Sequence, residues 1–304
     1  MKGRGHEASV GGPGENPSSA GRAAMSLQPW MHADDLAPGD VGSLRRDWAG
    51  IELHEIGEAS GELFDTTFGA LWSEFGSVGE METADVLRQR MLWNPSRPIG
   101  GCAIRYRLLL VTDGEGFAAA EDHTAILPDS GPGVVVHQSH ILVASRWRRT
   151  GLAGWLRALP LATARGVLFA CGRAGDSPIT LVAEMEHPDP AKPATLGRLA
   201  AYEKAGYKKI APSRLEYFQP DFRAPCAIDT GGGPRPIPLA LVIRRVGHEN
   251  ETFVSGREVR RVVSSLYKMY EASFRERDLA FVQKVLAGCP ADDERIPLIP
   301  PTAQ

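Results

Sequence analysis

VVVHQSHILVASRWRRTGLA, residues 134–153, is the stretch on which the reading of this chain turns. It opens on a row of β-branched and apolar residues, the composition of a strand, and runs without interruption into a basic turn around Gly151 and then a helical pattern. The first amides of a helix have no acceptor within it, and the aligned peptide dipoles make that end positive, so a strand feeding a helix start creates an anion site. Gly151 lets an anion approach the main chain, Ala153 keeps the contact small, and Arg148, with Arg146 and Arg149 beside it, adds charge-assisted donors.

Working towards the N-terminus, 101–112 reads as a strand, 117–120 less clearly as another, and 61–75 and 83–92 as amphipathic helices. WAGIELHEI, within 47–56, alternates like a first strand. The stretch before it is rich in Gly, Ser, Pro and Ala, so 1–45 is expected to be a disordered tail. Towards the C-terminus the helix after Gly151 meets Pro160, which predicts a kink or break. A strand over 179–185 follows, then a Pro-rich loop over 187–194, a helix over 196–205 ended by Gly206, and strands near 215–218 and 238–246. Val259, Val262, Val263, Leu266, Met269, Tyr270 and Phe274 form one helical stripe. The expected organisation is a domain over 46–246 with a C-terminal helical extension over 247–304, packed on or beside it and ending in a flexible Pro-rich segment. Burying the stripe on its own sheet is the economical arrangement, and a homodimer contact is the other.

Composition narrows the function. With 304 residues, 43% of them hydrophobic, the chain can bury a full core. A net charge of −3 gives no general attraction to nucleic acid. The four cysteines form no CxxC pair, so no metal site is expected. No apolar run reaches the length of a membrane span, which leads to the expectation of a cytoplasmic protein without membrane contact. Neither GxxxxGK(S/T) nor a strand-borne GxGxxG is present, which disfavours nucleotide hydrolysis and dinucleotide binding.

Two motifs resemble those of the GNAT superfamily of acyl-CoA-dependent N-acyltransferases. Arg148, Gly151 and Ala153, directly after a strand, match the (Arg/Gln)xxGx(Gly/Ala) signature, and further on Tyr202-Glu203-Lys204-Ala205-Gly206-Tyr207 is similar to the YEKxGF/Y element. The similarity in pattern spans 51–246; Pro160 and the Pro-rich loop depart from it. The resemblance implies an α/β (α+β) fold with a central mixed, mostly antiparallel sheet, a splayed strand pair and flanking helices. It also implies acetyl-CoA or another short acyl-CoA as cofactor, bound by Ile141, Leu142, Val143, Arg148, Arg149, Thr150, Gly151, Leu152, Ala153 and Tyr202. The acceptor would be a primary amine of a small molecule or peptide, attacked without a covalent enzyme intermediate. A non-catalytic acyl-CoA sensor on the same fold is the alternative.

Acyl transfer to an amine needs a group to take the amine proton and one to protonate the thiolate. His137 fits the first role, since imidazole titrates near neutrality, though it would equally serve as a satisfied strand histidine. Glu184, on the same strand face as Glu186, would bind the amine or relay its proton. Tyr202, by the resemblance, would protonate the leaving thiolate, or else pack between helix and sheet. His140 lies three positions after His137, so regular alternation puts the two on opposite faces and makes them a poor metal pair. Trp72, Trp93 and the loop 187–194 are candidates for the acceptor wall.

Overall fold

The computed structural model describes residues 33–45, 48, 50–129 and 131–304. The expected tail over 1–32 lies outside them. The chain forms β1 (Glu52–Glu55), α1 (Glu62–Phe75), α2 (Ala84–Met91), β2 (Cys102–Asp113), β3 (Gly116–Pro128), β4 (Val134–Val143), α3 (Leu152–Ala158) and α4 (Pro160–Ala170). There follow β5 (Ile179–Met185), α5 (Pro193–Lys204), β6 (Lys208–Ile210), β7 (Tyr217–Gln219), α6 (Pro225–Thr230), β8 (Ile237–Arg245), β9 (Phe253–Ser255), α7 (Gly256–Glu271), α8 (Val282–Ala287) and β10 (Arg295–Ile299). No helix among the described residues is long and apolar enough to cross a membrane.

One mixed sheet runs in the order β1-β2-β3-β4-β5-β8-β6-β10-β9, with β7 on β8. Every pairing in it is antiparallel except β4 with β5. Its two faces carry different cores. Ile104, Tyr106, Leu108 and Leu110 of β2 point to the face covered by α1, α2 and α7, and the alternate residues lie under α3 and α4, among Leu152, Trp155, Leu161 and Ala164.

β3 is far longer than the short strand predicted from sequence. Glu121, Asp122 and His123 stand in its middle, all fully buried, and this run of polar residues hides the alternation. Pro160 does not end the helical path: Leu159 is helical (φ −52°, ψ −38°) and Pro160 occupies the first position of α4, where its missing amide costs no ladder bond.

Both predicted chain ends change character. Within 33–45, assigned to the tail, Asp35, Leu36, Ala37 and Asp40 are buried. Residues 247–304 are no mere extension, because β10 pairs with β6 inside the sheet and β9 pairs with β10. The terminus is held as well: Lys209 Nζ donates to the Ala303 carbonyl, and Thr302 Oγ1 donates to Glu203 at 2.6 Å. α7 starts on a serine N-cap, Ser255 Oγ accepting from the Glu258 amide at 3.2 Å. Its Val259, Val262, Val263 and Leu266 are wholly buried, each contributing roughly 1.5–3 kcal/mol. The stripe is thus spent on the chain's own sheet.

Candidate active site

Between β4 and α3 the chain makes the predicted turn. Arg149 (φ 63°) and Gly151 (φ 99°) both adopt left-handed backbone, which folds the strand end back over the start of α3. Thr150 Oγ1 donates to the Trp147 carbonyl at 2.7 Å and closes the loop, and Arg148 Nε donates to the Val143 carbonyl at 3.2 Å. Arg148 and Arg149 are exposed beside the helix start. Arg146 is not available to an anion here. It grips Asp113 and the Phe117 carbonyl, and the bond to Asp113, with help from Trp147, holds the Asp113 carboxyl well below the usual range.

The parallel pairing of β4 with β5 covers only Val134–His137 against Ile179–Val182. Beyond it the two strands are no longer paired with each other, so Ser139, Ile141, Leu142 and Val143 of β4 and Ala183 and Glu184 of β5 lie past the last rung, in a V that opens towards the turn. β4 also bulges: Gln138 pairs with His123 and His140 with Asp122, leaving Ser139 as the extra residue. The bulge overturns the expected alternation. His137 and His140 pair with Thr124 and Asp122, two positions apart on β3, and therefore share the α7 face.

On that face a buried polar chain runs behind the V. His137 Nε2 lies 3.0 Å from Glu184 Oε2, which also accepts from Tyr270 at 2.6 Å; Tyr217 donates to the other Glu184 oxygen. Burial would raise the Glu184 pKa, but these donors outweigh it and hold it below the ordinary carboxylate value. The side chains of His137 and Glu184 are each only 3% exposed. Ser139 is half-buried, and its Oγ is 3.2 Å from His137 Nδ1. Next along, His140 bonds Asp122 at 2.7 Å and the Glu80 carbonyl at 2.8 Å, and Arg90 and Glu82 form a fully buried pair at 2.6 Å. Neither pair fits a metal with His137, and among the described residues no cluster of three or more His, Cys, Asp or Glu is suited to one.

Tyr202 lies on the other face, among the core under α4. Its ring meets Tyr207 edge-on at 4.9 Å and sits below the Arg157 guanidinium at 5.6 Å. Burial pushes its pKa up to about 12, so at neutral pH it keeps its proton. Glu186 is tied to Thr195 and Arg198, anchoring the Pro-rich loop and α5 to β5. Trp93 is core, whereas Trp72 is 40% exposed and stacks on Phe68.

Sequence reasoning missed Asp40, Arg157, Tyr217 and Tyr270. Asp40 receives Arg157 Nη2 at 3.0 and 2.9 Å. A Cβ on Gly154 would lie 2.8 Å from the Asp40 carboxyl carbon, and one on Gly39 2.0 Å from the Lys204 carbonyl. The segment 33–45 therefore lies along α3 and reaches the end of α5. Tyr217 and Tyr270 did carry a signal, since a tyrosine on a buried stripe needs a partner for its hydroxyl. A cavity of about 450 Å³ lined by Arg165, Asp176, Arg245 and Glu258 sits at the opposite end of β5, away from the V.

An antiparallel meander, a parallel pair that splays, and a basic glycine turn from the splayed strand into a helix are now on the page together. This is a GNAT-type fold. No family profile and no curated protein matches the chain. Among solved structures it is similar to a tandem GNAT protein from the clavulanic acid biosynthesis pathway (20% identity, TM-score 0.31, 53% of this chain and 45% of that one). It is also similar to an aminoglycoside 6'-N-acetyltransferase complexed with coenzyme A (14%, 0.37, 64% and 96%). A third is a GNAT-family acetyltransferase from Desulfovibrio desulfuricans (16%, 0.35, 64% and 99%). The chain spans less than half of the tandem protein. Likeness this partial carries no argument about activity or substrate.

Proposed function

We propose that this chain is an acyl-CoA-dependent N-acyltransferase that moves a short acyl group, acetyl first among them, to a primary amine of a small molecule or peptide. The observation that carries the reading is the splayed β4/β5 pair opening onto the left-handed turn Arg149–Gly151 at the start of α3. The amides of that helix start and Arg148 would hold the diphosphate, with Arg149, Thr150, Gly151, Leu152 and Ala153 forming the rest of the cradle. The thioester would lie along Ile141, Leu142 and Val143, whose β5-facing side has no strand partner once the pair has diverged. A carbonyl polarised by strand amides is open to direct attack by a neutral amine.

Tyr202, on one face of the sheet and protonated at neutral pH, would serve as the acid for the departing thiolate, and the His137 and Glu184 chain on the other face would take up the amine proton. Thiol release from acetyl-, propionyl- and succinyl-CoA against an amine panel, with calorimetry of coenzyme A, tests the proposal. Turnover with at least one pair supports it, and no binding at millimolar coenzyme A overturns it. Tyr202→Phe is expected to lower turnover by roughly 10²-fold or more while leaving coenzyme A affinity within about twofold; unchanged turnover would remove Tyr202 from the mechanism.

A further inference from the structure

We propose that Ser139 is the group that contacts the acceptor amine, passing its proton to His137 through a Ser139–His137–Glu184 relay. The inference rests on the acyltransferase reading and deepens it. Three observations carry it. The side chains of His137 and Glu184 are each only 3% exposed, whereas Ser139 is half-buried and lies past the last β4–β5 pair. Ser139 is the inserted residue of the bulge, and its Oγ is 3.2 Å from His137 Nδ1. On its other side His137 Nε2 is 3.0 Å from a Glu184 oxygen that also accepts from Tyr270, while Tyr217 fills the second oxygen.

Those contacts set the tautomer. An ionised carboxylate only accepts, so neutral His137 carries its hydrogen on Nε2 and turns the Nδ1 lone pair towards the Ser139 hydroxyl. The serine donates to that lone pair and keeps its own oxygen lone pairs for an incoming N–H. In the reaction the amine nitrogen bonds to the acyl carbon and the carbon–sulfur bond breaks. The proton shed by nitrogen goes to Ser139 Oγ as the serine proton moves to His137 Nδ1, and Glu184 with its two tyrosines stabilises the imidazolium. The thiolate takes its proton from Tyr202, which regains one from solvent, while His137 gives its proton up to solvent back through Ser139, so the balance is one proton lost by the amine and one gained by the coenzyme A thiol. Ser139 is neither acylated nor consumed. His137 and Glu184 act through Ser139, and Glu184 is a positioning residue.

The test combines a spectroscopic and a kinetic readout on the full chain. Long-range ¹⁵N–¹H correlation of the histidine rings at about pH 8, above the ordinary imidazole range, is expected to show His137 with Nε2 protonated and Nδ1 bare, the Nδ1 shift moving in Ser139→Ala. An Nδ1–H tautomer, a persisting imidazolium, or a shift indifferent to Ser139→Ala overturns the relay. In thiol-release assays with acetyl-CoA and the amine that turns over, Ser139→Ala is expected to lose roughly ten- to hundredfold in kcat with the acyl-CoA KM unchanged, and Ser139→Thr to recover most of it. Turnover within about twofold in Ser139→Ala, or an acetyl group found on Ser139 by mass spectrometry, overturns the proposal. Failure of coenzyme A to bind by calorimetry sinks the acyltransferase reading separately, and the tautomer measurement still decides the relay.

Discussion

The two halves of the candidate site are built by opposite means. The corner at Gly151 is made of main chain: a strand end, two left-handed residues and a helix start, half-buried and held by short-range bonds such as Thr150 to Trp147. The half behind the V is made of side chains from distant elements, with Glu184 of β5, His137 of β4, Tyr217 of β7 and Tyr270 of α7 meeting under full cover. The first kind of site tolerates change around it, because its donors belong to the backbone. The second fails as a unit, because each buried polar group depends on the next for the bonds it lost from water.

The sharpest way to break this comparison is at Arg90. Its pair with Glu82 is sealed among Trp93, Tyr270 and Ser273, and Arg90→Met leaves a carboxylate without its counter-charge. A stability loss of about 3–5 kcal/mol is expected by chemical denaturation, most of it recovered when Glu82→Leu is added. Coenzyme A affinity of the folded fraction should stay within about twofold. A parallel loss of affinity would show that the two halves are one unit.

His140 tests the same buried side by pH. Burial pulls its pKa down, the Asp122 carboxylate beside it pulls harder the other way, and the result is pushed up to about 9 from the ordinary 6.5. A folded value above the unfolded one means that the stabilisation is complete below about pH 6.5 and is lost as pH rises through about 9. Thermal midpoints are therefore expected to fall across that window by the equivalent of about 1–3 kcal/mol. In His140→Gln the decline over the same window should largely disappear, and a decline of undiminished size would assign it to other groups.

What sequence made legible follows the same division. The strand–turn–helix corner could be read because its determinants are contiguous: β-branched residues, then Arg148, Gly151 and Ala153 in order. The bulge could not, since one extra residue at Ser139 leaves no mark in composition yet reverses the face of everything after it, His140 included. β3 was underread because Glu121, Asp122 and His123 are charged types buried in succession, with burial raising the Glu121 pKa and lowering that of His123 to about 3. The segment 33–45 was read as tail because its few anchors, Asp35 and Asp40, find their partners Arg165 and Arg157 more than a hundred positions away. β10 escaped for a like reason: Leu298 is covered through the distant Ile210.

At the corner, Gly151→Val puts a β-branched side chain on a backbone at φ 99°, a conformation that such residues scarcely adopt. The turn would have to reopen, and coenzyme A affinity is expected to drop about tenfold, on the order of 1.4 kcal/mol, with little change in the denaturation midpoint. Calorimetry and denaturation on the same preparation separate the two. A large loss of stability with unchanged affinity would mean that the turn is a structural joint and the anion lies elsewhere.

Asp40 gives the smallest effect and the finest discrimination. Its carboxylate lies against Gly154, one position beyond the cradle, and accepts from Arg157 Nη2 with both oxygens. A negative charge so close to the helix start works against a diphosphate arriving there, and it also withholds a guanidinium that would otherwise add to the positive field. Asp40→Asn keeps the shape while removing the charge. If 33–45 is an acidic strap laid beside the cofactor corner, coenzyme A should bind about two- to fivefold tighter, with the gain shrinking as salt is added because the term is Coulombic. If the segment instead forms a wall of the cofactor groove, the same substitution loosens α3 against α5 and weakens binding, and added salt leaves the difference in place. The sign of the change and its response to ionic strength thus report whether the strap opposes the cofactor or helps to hold it.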